Sequence, residues 1–158
     1  MEVATALGIP AAEMWQRATV LEGVNYELGP LLRMTAPRAL RDATIADLEP
    51  GVPAGRSWLL LGGVLPVDYD DLCLAAVEPP RRFLERSQMA TMLVWEHERT
   101  IDPRGEGACL VTDRLGFALR RVPAAIPGSG AIARRIVAAV FRHRHRRLLA
   151  AHGPSESR

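Results

Sequence analysis

From residue 42 to residue 119 the chain repeats one pattern: runs of aliphatic, aromatic and β-branched residues, each closed by a cluster of turn formers. The runs are ATIADL, RSWLLLGGVLP, DYDDLCLAAVE, RRFLERSQ, ATMLVWEHERTI and ACLVTDRLGFALR, and EPGVPAG, EPP and DPRGEG punctuate them. Short strand-like runs between Pro/Gly breaks predict strands in hairpin series. Any fold for this chain must therefore accommodate an antiparallel sheet.

The flanks of this block read differently. MEVATALGI alternates and predicts an opening strand. Pro10 then stands where a first helical residue belongs, with Glu13 in the first turn. PAAEMWQRATVLEG places Met14, Ala18 and Leu21 on one helical face, and Gly23 is expected to stop it. VNYELGPLLRM reads as a second short helix broken by Gly29-Pro30. After VPAAIPGSG, with Ser129 as N-cap, a closing helix is expected to run to Gly153. The class is α+β: a curved antiparallel sheet of about six or seven strands, two short helices after the first strand, and a long C-terminal helix over the sheet enclosing a cavity. LGG at 61–63 is expected to help the curvature. At 158 residues this fits one domain over 1–153, with 154–158 as a disordered tail.

Several function classes drop out. The apolar run at 58–67 is interrupted by Gly62, Gly63 and Pro66 and is too short for a membrane span. No basic-then-apolar leader is readable, so a cytoplasmic location is expected. Cys73 and Cys109 sit in strand-like runs and read as packed thiols. HERTI lacks the second His of H-E-x-x-H, GEGACL lacks the third glycine of a dinucleotide loop, and PGSGAIARR lacks the lysine of a P-loop. Alternation sends the carboxylates of DYDD to different faces. Neither a cofactor nor a metal is expected.

All 20 basic residues are arginine. Residues 129–158 hold seven of them against one acid, Glu156, whereas the first 128 residues are mildly acidic. On a helical wheel, Ile132, Ile136, Val137, Val140, Phe141 and Leu148 span one half, and Arg134, Arg135, Arg142, His145 and Arg146 the other. Arg144 and Arg147 project on the apolar half, where long stems can lie over apolar surface. His143 and His145 are two apart and do not share a face. The tail reads first as the solvated side of a core-packing helix. Peripheral membrane contact through Arg142, Arg144, Arg146 and Arg147 is the second reading. Nucleic acid is excluded, because the body is acidic and few aromatics could stack bases.

The hairpin around DPRGEG carries the sharpest inference. In MLVWEHERTI the odd residues Leu93, Trp95, His97, Arg99 and Ile101 should face inward. Opposite them in CLVTDRLGFAL, the odd residues are Cys109, Val111, Asp113, Leu115, Phe117 and Leu119. With Gly105 at the midpoint of the turn, Leu93 faces Phe117, Trp95 faces Leu115, and His97 faces Asp113. A shift by two residues pairs Asp113 with Arg99 instead. Either way an inward Asp needs a partner. A His97–Asp113 pair would raise the pKa of the histidine and lower that of the acid.

WEHERTIDPRGEGACLVTDRLGFAL, followed by a long helix with VFRHRHRRL, resembles the START-like superfamily, the polyketide-cyclase and lipid-transfer group. The early VLEGVNYELGPLLRM resembles its bacterial ligand-binding members. The likeness spans about residues 2–152 and rests on the inward Thr112-Asp113, the strand histidine His97 and the Arg/His-rich helix end. It implies a helix-grip fold whose last helix lies across a curved sheet around a hydrophobic pocket. It also implies lipid, sterol or aromatic polyketide ligands, with catalysis in a minority of members.

The function expected on this basis is non-catalytic binding or carriage of a small hydrophobic molecule. Trp58, Leu93, Trp95, Leu115, Phe117, Ile136 and Val140 would line the pocket, and His97 and Asp113 would be its polar anchors. One alternative is a cyclase or dehydratase using His97 and Asp113 for proton transfer, although no multi-acid or tyrosine-rich constellation accompanies them. Another is an adaptor that binds acidic surfaces through the C-terminal arginines.

Overall fold

A computed structural model describes residues 1–155. Seven strands form one antiparallel sheet: β1 (Glu2–Leu7), β2 (Leu32–Met34), β3 (Pro53–Leu61), β4 (Leu65–Glu78), β5 (Arg82–Met89), β6 (Met92–Pro103) and β7 (Cys109–Leu119). Their order is β1-β7-β6-β5-β4-β3-β2, so β2 through β7 form a meander and β1 returns to pair with β7. Helices α1 (Ala11–Ala18) and α2 (Leu21–Leu28) fill the connection from β1 to β2. A single turn α3 (Arg121–Ala124) precedes α4 (Ser129–His152), which packs on β1 and α2.

Local chemistry moves several expected boundaries. Gly23 lies inside α2 rather than ending a helix. A Cβ there would sit 1.9 Å from the Arg17 carbonyl oxygen, so the glycine is what allows α2 to cross close to α1. Leu32–Met34, expected as helix, is the edge strand β2. Asn25 on α2 clamps Met34 through both its amide groups, at 2.7 and 3.0 Å. ATIADL, expected as a strand, holds a 3-10 turn at Ile45–Asp47, closed by a capping box between Thr44 and Asp47. Gly62 and Gly63 do not bend a strand. Both have positive φ, 59° and 80°, and they form the tight turn between β3 and β4. Bending falls instead at register shifts between Leu59 and Leu60, Leu74 and Ala76, and Met92 and Val94.

Pro154, expected in the tail, is paired with the sheet. Gly8 N donates to Gly153 O at 3.1 Å, and Pro154 bridges Leu7. Residues 156–158 of the expected tail lie outside the described ones. Among the described residues, no helix is long and apolar enough to cross a membrane.

Two apolar clusters sit under the helices. The larger joins Leu7, Met14, Trp15, Leu74, Phe83, Ile101, Val111 and Leu148 beneath α1, α2 and the end of α4. The smaller joins Met89, Met92, Trp95, Leu115, Val137 and Phe141 beneath the middle of α4. A row of buried polar side chains crosses the inner face of the sheet: Ser57, Asp70, Glu85, His97 and Asp113, one each from β3 through β7.

Candidate functional site

The hairpin register decides the site. In the structure Trp95 faces Phe117, His97 faces Leu115, and Arg99 faces Asp113. This is the shifted register, not the one centred on Gly105. The turn is centred one residue later, on Glu106, with Arg104 N donating to Ala108 O at 2.8 Å, and at the far end of the hairpin a bulge between Met92 and Val94 leaves Leu93, expected inward, exposed. His97 nevertheless reaches Asp113 diagonally, as neighbours two residues apart across a strand pair can. Its Nε2 lies 2.9 Å from Oδ1.

Asp113 is therefore shared. Arg99 donates to both its oxygens at 2.7 Å, and His145 Nε2 meets Oδ2 at 3.0 Å. The other end of the Arg99 guanidinium forks onto Glu27 of α2, at 2.7 and 2.9 Å. Arg144 of α4 closes on Glu27 Oε2 at 2.8 Å. Arg99 and Asp113 are both 0% exposed. One buried cluster thus ties β6, β7, α2 and α4 together. Thr5 of β1 joins through His145 Nδ1 at 2.8 Å.

His97 also points its Nδ1 at Glu85, 3.6 Å from Oε2. Burial alone would raise the carboxyl pKa of Glu27, Glu85 and Asp113, but their cationic neighbours win and all three are lowered, Asp113 strongly. For His97, burial opposes the charge, yet Asp113 and Glu85 hold the imidazole above its ordinary value. Asp70 differs. Burial and then the neighbouring Glu85 push it up to about 10, so it carries a proton at neutral pH. Asp70 Oδ1 and Glu85 Oε1 have no other hydrogen-bond partner, which fits a proton shared between the two acids. Three cations (His97, Arg99, Arg144) then balance three carboxylates (Glu27, Glu85, Asp113), the condition for burying so much charge.

The C-terminal helix meets this cluster along a stripe that the wheel misjudged. Val137, Phe141, Arg144, His145 and Leu148 are buried, whereas Ile132 and Ile136 are exposed, Ile136 by 58%. His145 was placed on the wet half and Ile136 in the pocket. The burial stripe is rotated because Glu27 and Asp113 take Arg144 and His145 inward. Ile132 and Ile136 continue the side of α4 that faces α2 through His143 and Arg147. His143 Nε2 meets Gly29 O at 2.8 Å, and Arg147 stacks on Tyr26. Of the four arginines expected to touch a membrane, Arg144 is buried and Arg147 lies on Tyr26; Arg142 and Arg146 remain exposed.

Trp58, another expected lining residue, points outward and stacks edge-on against Tyr69, with ring centroids 5.6 Å apart. Ser57 takes the inward place, its hydroxyl bonded to Thr35 O at 2.7 Å. Trp95 and Leu115 are buried, Val140 and Phe117 half-buried, and all four belong to or pack on the smaller apolar cluster.

Two open clefts flank α4. One of about 560 Å³ lies between its first turns and the end of β7, lined by Leu115, Phe117, Leu119, Ala124, Gly130 and Arg134 among others. The second, about 380 Å³, lies between α4 and β1, with Val3, Thr5, Arg142, His145, Arg146 and Leu149. Of the expected lining residues, Leu115 and Phe117 border the larger cleft. His97 and Asp113 border neither.

A family model described as a domain of unknown function, DUF8410, matches residues 5–152. No curated protein matches the sequence. Solved structures do match in shape. A START superfamily protein from Mycobacterium smegmatis superposes with a TM-score of 0.63 at 11% identity, over 96% of this chain and 97% of that one. A protein from Chromobacterium violaceum gives 0.66 at 13% identity, over 98% of both chains. The Zhui aromatase/cyclase of a Streptomyces gives 0.63 at 14%, over 96% of this chain and 91% of that one. The fold is START-like, a curled sheet gripping its C-terminal helix.

Proposed function

The chain belongs to the DUF8410 family, and from that membership and its START-like fold we propose that it binds or carries a small hydrophobic molecule, without catalysis, between the first half of α4 and the end of β7. One observation carries this reading. The grip holds the ion cluster beneath one half of α4 and the larger of the two clefts beneath the other, where Leu115, Phe117 and Leu119 form an apolar floor and Arg134 stands at the rim. Apolar side chains beside Arg134 and the Met1 ammonium, which donates to Leu115 O at 2.7 Å, suit an amphipathic cargo. Trp95 and Val140 pack in the same apolar cluster, and Phe117 is the accessible aromatic of the floor.

His97 and Asp113 serve this site indirectly, by holding β6 and β7 in register beneath it. The geometry favours carriage over turnover. Both Asp113 oxygens already accept two bonds each, and His97 has its Nε2 on Asp113 while its Nδ1 faces Glu85 at 3.6 Å. A proton-transfer pair needs a free position facing the substrate.

Native mass spectrometry on freshly purified protein, followed by organic extraction, tests the reading. A discrete extra mass lost on denaturation is expected. Gly130 has open space around its Cβ position, so Gly130→Trp should fill the cleft without disturbing the fold. Binding of the amphipathic anion anilinonaphthalene sulfonate should then weaken at least tenfold, about the loss of one good apolar contact surface. A clean apo mass together with unchanged dye binding in Gly130→Trp would sink the proposal.

A further inference from the structure

One end of the sheet carries exposed apolar side chains that neither the ion cluster nor the cleft uses. Hydrogen bonds place its segments in a row. Gly62 N donates to Leu31 O at 2.9 Å, seating the β3–β4 tip beside the start of β2. The Asp68 carboxylate accepts from Ala90 N at 2.8 Å and from the Thr91 hydroxyl at 2.6 Å, tying the base of that hairpin to the β5–β6 turn. Arg120 N donates to Thr91 O at 3.0 Å and sets α3 next in line. Along this row protrude Leu31, Leu61, Val64, Leu65, Val122 and Ile126, with Val64 82% and Val122 80% exposed. The turns at the opposite end, residues 79–81 and 104–108, carry no exposed large apolar side chain.

The charge of this end is mostly positive. Residues 117–136 contain Arg120, Arg121, Arg134 and Arg135 and no acid. Arg33 lies against Gly63 at the hairpin tip. Asp68 is the one acid in the row, and its carboxylate is occupied by Ala90 and Thr91. Apolar tips standing on two separate protrusions, set among arginines, are poorly shaped for a flat protein partner. They suit a soft surface that is apolar below and anionic above.

We propose that this end docks the protein on an anionic lipid surface. Val64, Val122 and Ile126 enter below the headgroups, and Arg121, Arg134 and Arg135 meet the phosphates. Leu119, Ala124 and Gly130 border the larger cleft, so docking would bring the mouth of that cleft to the bilayer. The inference stands apart from cargo binding, because it is read on protein stripped of any bound molecule.

Vesicle co-sedimentation tests it, with phosphatidylcholine alone and with phosphatidylglycerol added. Binding should require phosphatidylglycerol and weaken as salt rises. Replacing Arg121, Arg134 and Arg135 together by Gln should weaken it about a hundredfold, at roughly fivefold per arginine. Changing Val64, Val122 and Ile126 to Ser should weaken it at least tenfold while the melting temperature holds, since these side chains pack on little. Arg142→Gln with Arg146→Gln should bind as wild type. No sedimentation with phosphatidylglycerol vesicles overturns the proposal, as does loss confined to the Arg142/Arg146 variant or full binding by the serine variant. A dimer that the serine variant abolishes, with no vesicle binding, would assign this end to a second copy of the chain instead.

Discussion

The two halves of α4 lie over one sheet and meet it with opposite chemistry. The C-terminal half is closed over the sheet, with the smaller cleft at its β1 edge: Arg144 and His145 reach into a cluster with Glu27, Arg99 and Asp113, and Leu148 is buried beside them. The N-terminal half is open: Ile132 and Ile136 face water, and the cleft beneath holds apolar side chains with one arginine at its rim. A buried ion cluster has demanding geometry, since each group must keep its partners or leave a charge stranded. Apolar walls make no such demand and tolerate an exchangeable occupant. The contrast separates a half that fixes the grip from a half that can receive something.

That division can be broken by experiment. Asp113→Asn strands Arg99 and His97 in the interior and should cost about 3–5 kcal/mol, read by urea denaturation. A cost under about 1 kcal/mol would mean the cluster is not what holds the helix.

Apolar truncations should split the same way along one helix. Leu148→Ala in the closed half should cost about 2–5 kcal/mol. Ile136→Ala in the open half should stay within about 0.5 kcal/mol. Equal costs would erase the distinction.

The pH dependence should sharpen it. Glu27, Glu85 and Asp113 have lowered carboxyl pKa values in the fold, so their contribution is present above the ordinary 3.8 to 4.5 and is lost as pH falls through the folded values. The raised pKa of His97 gives stability that is complete below 6.5 and lost as pH rises through the folded value. Asp70, at about 10, keeps its proton in the fold where the unfolded chain would release it above 3.8, so its contribution also fades as pH rises. Melting temperature should therefore peak at mildly acidic pH. Asp70→Asn mimics the protonated acid without the proton uptake on folding, so it should flatten the decline between pH 3.8 and about 10 and raise the melting temperature at pH 7. Identical slopes in wild type and variant would rule out the shared proton.

Some of this was legible from residues alone. Inward Asp113 followed from alternation in CLVTDRLGFAL, as did its need for a partner, with His97 and Arg99 both in reach. The same rule applied to Asp70-x-Leu72-x-Leu74 and Phe83-x-Glu85-x-Ser87 would have exposed the second acid pair. Glu27 left a fainter mark, three residues from Val24 and beside Leu28 on the buried face of α2. Leu93 and Trp58 misled because a bulge and an inward serine reset which side chains face the core.

The order of elements and the hairpin series were set by the sequence itself, because turn residues and strand alternation act over a few neighbours and need no distant partner. The START-like plan followed from that order. Which arginine and which histidine are buried was a tertiary decision. The wheel sets Arg144 and Arg147 alike on the apolar half, and only Glu27, 117 residues away in the chain, makes burying Arg144 favourable. The open cleft has the same origin. It is lined by side chains of β7, α3 and the first turns of α4, which meet only in the fold, so no local pattern encodes it.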